Sequence, residues 1–172
     1  MGDDSQARTV DTILRVVVKI LETRGYDAVQ LRVVARRARV SLSTIYRFFP
    51  TRDDLIVTAL NRWMQENCYA GLANCPHHGS LYEGQMWFFR RIFEPWERCP
   101  RMLEAFHRAM VGPGGERLDL LGMTAVEPAG RASLENVDPT YAKDFGLIMA
   151  NMVCGVIQRC AAGDLAVTEI LP

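Results

Sequence analysis

The sequence lacks several features that would set it apart from soluble globular proteins. Its 20 Lys and Arg balance 20 Asp and Glu, so it has no net charge. No unbroken apolar run approaches the roughly 18 residues of a membrane span. The start of the chain, Met1 to Ser5, is polar and acidic and lacks the basic and then apolar pattern of an export signal. We therefore expect a soluble, cytoplasmic protein with no membrane partner.

The residue patterns of common catalytic and metal sites are also missing. There is no P-loop, no G-x-G-x-x-G, no Ser/His/Asp set and no carboxylate pair at a useful spacing, which argues against an enzyme and against a cofactor. The five cysteines are an odd number, which predicts reduced thiols. The nearest approach to a zinc motif is too widely spaced, so no metal is expected; it comprises Cys68, Cys75, His77 and His78.

The balanced charge conceals an uneven distribution. Residues 1–62 carry a net charge of +4 and residues 63–172 a net charge of −4. The asymmetry is steepest between Arg24 and Arg52, where seven arginines accompany one acid, Asp27. Such a basic block indicates either a polyanion partner or a solvated helix face, and charge alone does not decide between them.

The first 70 residues or so read as four helices. Apolar residues recur at helical spacing over 10–21, and Gly25 is expected to end this helix. A second helix begins at Leu31 and carries arginines on its exposed side. Ser41 is a good N-cap for a short third helix, and Thr51, which follows a proline, caps a fourth that continues to about residue 69.

The remainder predicts further helices and no strands, because no alternating pattern of useful length occurs. Turn signals rich in proline and glycine separate these helices, and Pro128 is expected to kink or divide one of them. The expected helices span 81–96, 100–111, 116–134 and 139–161, and 74–80 is expected to be a loop. The predicted fold class is all-α.

The segment from Leu31 to Leu55 has the plan of a helix-turn-helix, in which a second short helix can enter the major groove of DNA. It has two alanines three residues apart, Val-Ser at the turn and Thr-x-Tyr in the second helix. Phe-Pro follows, and a basic residue begins the next helix. With these features, residues 8–60 closely resemble the TetR family of bacterial transcriptional repressors.

The resemblance implies a three-helix DNA-binding domain over residues 1–52 and a helical ligand-binding and dimerisation domain over residues 53–172. It implies a homodimer on a palindromic double-stranded DNA operator, with recognition helices about 34 to 36 Å apart. The side chains that it places toward the groove are Ser41, Leu42, Ser43 and Arg47. Those that it places on the sugar-phosphate backbone are Arg32, Thr44, Tyr46 and Arg52.

Among these residues, Arg47 is the best candidate for reading a base, because a guanidinium binds guanine O6 and N7 together. Tyr46 has the alternative role of a core aromatic with an exposed hydroxyl. Arg39 departs from the family, which commonly has glycine at this point of the turn. The departure leaves open whether the turn geometry differs or an extra backbone contact is made.

The second half is rich in aromatic and methionine side chains, which can line an adaptable apolar cavity or form plain core or dimer interface. The candidate effector-binding residues are Trp87, Phe88, Met102, Phe106 and Met123. His107 and Arg108 are candidates for an acid group on such an effector. The last apolar helix is the candidate dimer interface, with a face made of Phe145, Ile148, Met149, Met152 and Val156.

The function predicted from these observations is a repressor that an apolar or amphipathic effector releases from its operator. A small all-α enzyme and a helical regulator that acts through a protein partner are the alternatives, and the second predicts no salt-dependent binding to DNA. Arginine outnumbers lysine eighteen to two, which fits a GC-rich bacterial genome. The stretch Arg47 to Pro50 and its flanks are similar to actinobacterial regulators of lipid or sterol breakdown.

Overall fold

The computed structural model describes residues 2–72, 80–135 and 137–171. These residues contain eight α-helices and two short 3-10 turns. Those residues contain no β-strand, as the all-α prediction requires. The helices are α1 (Gly2–Arg24), α2 (Leu31–Ala38), α3 (Leu42–Phe48), α4 (Arg52–Asn67), α5 (Leu81–Arg98), α6 (Pro100–Met110), α7 (Gly115–Ala132) and α8 (Pro139–Ala162). The 3-10 turns are Tyr26–Ala28 and Val167–Glu169.

The N-terminal helices begin and end at the residues that local chemistry favours. Gly25 follows α1 with a φ of 79°, a conformation that a side chain would strain. The hydroxyl of Ser41 accepts a hydrogen bond from the Thr44 backbone N–H at 3.0 Å, as its predicted role of N-cap requires. Thr51 and Asp54 form a reciprocal capping box at the start of α4.

Two expectations about the helices differ from the structure. Helix α1 begins at Gly2, well before residue 10. The apolar spacing did not indicate this start, because the first turns of the helix are polar and have no apolar stripe. An Asp4–Arg8 ion pair, four residues apart, lies on this segment. Pro128 does not divide α7, which continues from Gly115 to Ala132. The predicted loop at 74–80 lies outside the described residues, except for Ser80, which caps α5.

Helices α4 and α6 connect the two halves of the chain. Helix α4 packs against α1 on the N-terminal side and against α6 and α7 on the other. Helix α6 packs against α1 and the turn Tyr26–Ala28 as well as against α5, α7 and α8. A continuous core, which includes Ile20, Leu60 and Met102, therefore joins the first three helices to the rest.

Candidate nucleic-acid interface

Helices α2 and α3 form the helix-turn-helix, and α3 carries most of the predicted DNA contacts. Ile45 is fully buried and fixes the orientation of α3 against the core. On the other side Ser41, Ser43 and Arg47 are exposed, and 49% of Tyr46 is accessible. Tyr46 is therefore a surface residue here and not a core aromatic.

The other predicted contacts on α3 are half-buried. Leu42 and Thr44 are partly covered, and the Thr44 hydroxyl lies 2.7 Å from that of Ser41. The Ser43 hydroxyl is 2.8 Å from the same Ser41 oxygen. The guanidinium of Arg47 lies over the ring of Phe48, with its central carbon 4.6 Å from the ring centroid. Arg47 is thus exposed and partly oriented by its neighbour.

Helix α2 presents arginines that no acid neutralises. Arg32, Arg36 and Arg37 are exposed, and within the described residues none of them makes an ion pair. The N-cap of α2, Gln30, makes no side-chain capping bond, in contrast to the caps of α3 and α4. The first turn of α2 therefore offers backbone N–H groups beside Arg32, an arrangement that suits a phosphate.

Arg52 holds the backbone that leads into α2. Its Nε and Nη2 atoms donate hydrogen bonds of 2.7 Å each to the carbonyl oxygens of Val29 and Tyr26. Its guanidinium also lies 4.6 Å from the centre of the Tyr26 ring, and 34% of the side chain is accessible. Two of its five N–H groups are therefore used within the protein, and its predicted phosphate contact depends on those that remain.

A cluster that sequence reasoning missed joins α6 to the same turn. Arg108 binds both carboxylate oxygens of Asp27, at 2.6 and 2.8 Å, and its guanidinium lies 4.6 Å from the Tyr26 ring centre. The hydrogen bond from Arg108 lowers the pKa of the Asp27 carboxyl. Burial raises the pKa of Tyr26, whose hydroxyl lies 3.3 Å from Asp53. Arg101 of α6 adds a hydrogen bond to the Thr23 carbonyl.

These contacts change the interpretation of two residues. The structure corrects one prediction: Arg108, a candidate for binding an acid group on an effector, is already bound to the carboxylate of Asp27. Asp27, the single acid of the basic block, is neutralised from the other half of the chain. Because the two residues are 81 positions apart, no periodic signal in the sequence could have paired them.

Within the described residues, the predicted effector-binding residues fall into three different environments. Phe88, Met102 and Phe106 belong to the buried core, and Met123 is a surface residue. Trp87 lines an open depression of about 430 Å³ on α5, whose other walls include several charged side chains. Helical phase explains the division, because only one side of each amphipathic helix faces the core.

A second depression, here called the α4–α7 groove, has about 380 Å³ and a mostly apolar lining. Its polar groups are Gln65, Tyr69 and Thr124, and burial raises the pKa of the Tyr69 phenol. Its apolar lining comprises Leu72, Leu120, Leu121, Ala125, Pro128 and Ala129. None of the five predicted effector-binding residues lies in this groove.

Helix α8 leaves most of its apolar surface uncovered. Ile148 is 61% accessible and Met152 44%, and they share a face with Phe145, which stacks on Tyr141 at 5.9 Å between ring centres. Met149 and Val156 are half-buried beside this face. By length and mean hydropathy, 1.4 over an 18-residue window, α8 would also be able to cross a membrane, and 6% of that window is buried. The prediction that no segment is long and apolar enough to span a membrane considered only unbroken apolar runs, so it missed α8.

The cysteine and histidine residues form no metal site where the structure describes them. No group of three or more His, Cys, Asp or Glu comes together in the described ranges. The predicted near-motif of Cys75, His77 and His78 lies outside the described residues. Burial raises the pKa of the Cys68 thiol to about 12, so it stays protonated and inert.

The described residues define a helix-turn-helix protein, in which an exposed, basic helix-turn-helix is joined through α4 to a helical C-terminal region. Residues 13–59 match the model of the bacterial regulatory proteins of the tetR family, and residues 79–172 match the model of the tetracyclin repressor-like C-terminal domain. The chain therefore belongs to the TetR family, as its helix-turn-helix residues indicated.

Curated relatives carry the name HTH-type transcriptional repressor KstR. The protein of Mycobacterium tuberculosis is 42% identical over 111 residues, which are 64% of this chain and 50% of the relative. That of Mycolicibacterium smegmatis is 33% identical over 115 residues, covering 64% and 54%. That of Rhodococcus jostii is 28% identical over 179 residues, covering 96% and 81%. The aligned part of the chain thus spans about half the length of two of them.

A solved structure shows the same fold. It is a TetR transcriptional regulator from Rhodococcus sp. RHA1, with a TM-score of 0.54 and 20% identity over 96% of this chain and 90% of that one. The named relatives are actinobacterial, in agreement with the source expected from the sequence.

Proposed function

We propose that the chain is a cytoplasmic DNA-binding repressor that acts as a homodimer on a palindromic operator and performs no chemistry. The observation that carries the proposal is a concentration of unpaired arginines on the helix-turn-helix. Those of the helix-turn-helix at positions 32, 36, 37, 39 and 47 are exposed and have no acidic partner within the described residues. Elsewhere, Arg62 and Arg108 are paired with carboxylates.

The position of these arginines supports contact with a duplex. In helix-turn-helix complexes the second helix lies in the major groove and the first crosses the backbone. Arg47 lies on the second helix and is the proposed base reader, whereas Arg32 lies at the uncapped start of the first. Ser41, Leu42 and Ser43 face the groove in this arrangement, with Thr44, Tyr46 and the free donors of Arg52 at sugar and phosphate.

The proposed dimer forms through α8. A face with Ile148 and Met152 exposed would be costly in a solitary chain, and a second copy covers it by symmetry. A membrane is the other environment that would cover α8, and a protein of a DNA-binding family has no evident use for it. Phe145, Met149 and Val156 complete the proposed interface.

The proposed effector is an apolar or amphipathic small molecule, and the α4–α7 groove is its proposed site. Its volume of about 380 Å³ falls within the usual range for ligand sites, and its lining combines apolar side chains with three polar groups. One wall belongs to α4, the helix that begins with Arg52. An effector there would act on the DNA-binding region by shifting α4. Lipid- and sterol-derived molecules are the first candidates.

A salt titration tests the DNA-binding proposal. The full chain would be titrated with a duplex that it selects from a randomised pool and with a scrambled duplex. A dimer with roughly six to ten phosphate contacts loses about 10³- to 10⁵-fold in affinity between 50 and 200 mM salt. An affinity that does not change with salt would exclude this function and favour the regulator that acts through a protein partner.

Native mass spectrometry of the purified chain tests the effector site. We expect a copurifying apolar molecule that is lost in Ala125→Trp, which fills the α4–α7 groove. Trp87→Ala on the α5 depression is the matched control and should retain it. If only Trp87→Ala lost the copurifying molecule, the effector site would instead be the depression on α5.

A further inference from the structure

The turn between α2 and α3 contains the one non-glycine residue with a positive φ in the described ranges. Arg39 has φ 57° and ψ 40°, the left-handed conformation, and its backbone N–H donates to the carbonyls of Ala35 and Arg36. This conformation crowds Cβ against the following carbonyl, and glycine adopts it without that cost. The chain keeps a long charged side chain where glycine would be more stable.

The side chain of Arg39 is exposed and has no role within the described chain. No ion pair or hydrogen bond joins its guanidinium to another described residue. Two exposed arginines elsewhere do have such roles: Arg91 donates to the Ala70 carbonyl, and Arg101 to that of Thr23. Because Arg39 contributes no visible contact in return for the strain, its retention points to a partner outside the chain.

The position of Arg39 continues a row of positive charge. Arg32 and Arg36 lie one turn apart on the same side of α2, and Arg39 follows three residues later. The row extends about 10 Å from Arg32 to Arg39. It ends at the junction between the helix that crosses the DNA backbone and the helix that enters the groove.

We propose that Arg39 is a DNA-binding residue that contacts a backbone phosphate, and that the strained turn is retained for this contact. The proposal rests on the DNA-binding function proposed above. It assigns the contact to a position where the family commonly has glycine. Arg39 therefore adds affinity for any duplex and does not contribute to the choice of sequence.

Three substitutions separate charge from strain. Arg39→Gly removes both, Arg39→Asn removes the charge with a residue that tolerates this conformation, and Arg39→Lys keeps the charge. Arg98→Asn is the control, because Arg98 is an exposed arginine at the end of α5. Each full-length variant is titrated at several salt concentrations with the selected duplex and the scrambled duplex, and its melting temperature is measured.

The expected results for Arg39→Gly have opposite signs. Its melting temperature rises by about 2 to 4 °C, and its affinity for both duplexes falls about tenfold for each bound protomer. Arg39→Asn loses affinity to a similar degree, and for both variants the slope of log K against log salt flattens by about 0.9 for each bound protomer. Arg39→Lys and Arg98→Asn keep the wild-type slope.

Three outcomes would overturn the inference. Wild-type affinity and slope in Arg39→Gly and Arg39→Asn would show that the side chain is merely tolerated. A loss in Arg39→Lys as large as in Arg39→Asn would exclude a role for charge. A loss confined to the selected duplex would make Arg39 a base reader instead. If the wild-type chain itself shows no salt-dependent binding, the proposed function fails, which is a different result from any of these three.

Discussion

Arg52 supports the entry to the helix-turn-helix, and replacing it tests that role. Its two hydrogen bonds to the carbonyls of Val29 and Tyr26 come from a charged donor, for which values of about 1.5 to 3 kcal/mol each are typical. The contact with the Tyr26 ring adds about 0.5 to 1 kcal/mol. A third of the side chain is accessible, so water replaces part of what is lost. We expect Arg52→Ala to lower the free energy of unfolding by about 2 to 3 kcal/mol.

Urea unfolding of the full chain, followed by far-UV circular dichroism, measures this change. At a slope of roughly 2 kcal/mol per molar urea, the midpoint falls by about 1 to 1.5 M. Arg117→Ala is the matched control, because the accessible Arg117 of α7 makes a surface ion pair of 3.6 Å with Asp54, which lies in the first turn of α4 beside Arg52. Its loss should cost less than about 0.5 kcal/mol.

Arg52→Lys separates support of the backbone from contact with phosphate. Lysine keeps the charge but cannot reproduce the two bonds of a planar fork, so it should be nearly as destabilising as alanine. Below the urea transition, where all variants are folded, lysine should restore salt-dependent DNA binding if the remaining donors of Arg52 contact phosphate. A change below about 0.5 kcal/mol in Arg52→Ala, or full stability in Arg52→Lys, would refute the reasoning.

Three further predictions follow from the structure. Arg47→Ala should cost about 1 to 3 kcal/mol for each half-site of the selected duplex and relax base preference at one position of each half-site, as a randomised-pool selection would show. An equal loss on all sequences would contradict base reading. Met152→Glu should convert the dimer to monomers in analytical ultracentrifugation, whereas Gln158→Glu, elsewhere on α8, should not; a dimer that persists in Met152→Glu would exclude this face. At pH 8 the buried Cys68, with a pKa of about 12, should resist iodoacetamide while the exposed Cys154 reacts. Rapid modification of Cys68 in the folded chain, detected by peptide mass spectrometry, would contradict its burial.

The helix-turn-helix could be located from the sequence because its signals are local. Ser41 and Thr51 cap helices through hydrogen bonds to residues three positions away, so both helix starts can be predicted from a few neighbouring residues. Arg39 was recognisable as an anomaly by its place in the turn, but its conformation and lack of partners required coordinates. The pairing of Arg108 with Asp27 depends on the packing of α6, which no local pattern encodes.

The residues of the proposed effector site were harder to predict for a physical reason. In α5, aromatic side chains occur on adjacent positions, so composition alone treats Trp87 and Phe88 alike. Helical phase separates them, because Phe88, Ile92 and Trp96 recur every four residues on the buried side. The α4–α7 groove combines residues far apart in sequence, and only the packing of α7 on α4 brings them together.

The bond between Arg108 and Asp27 has a consequence for fragments of this protein. A fragment that contains only the DNA-binding domain would carry Asp27 without the Arg108 guanidinium that binds its carboxylate. It would also lose the guanidinium that Arg108 places against Tyr26. Such a fragment would have an uncompensated carboxylate at Asp27 and a less supported turn before α2. The turn that leads into α2 is therefore fully supported only when the C-terminal helices are present.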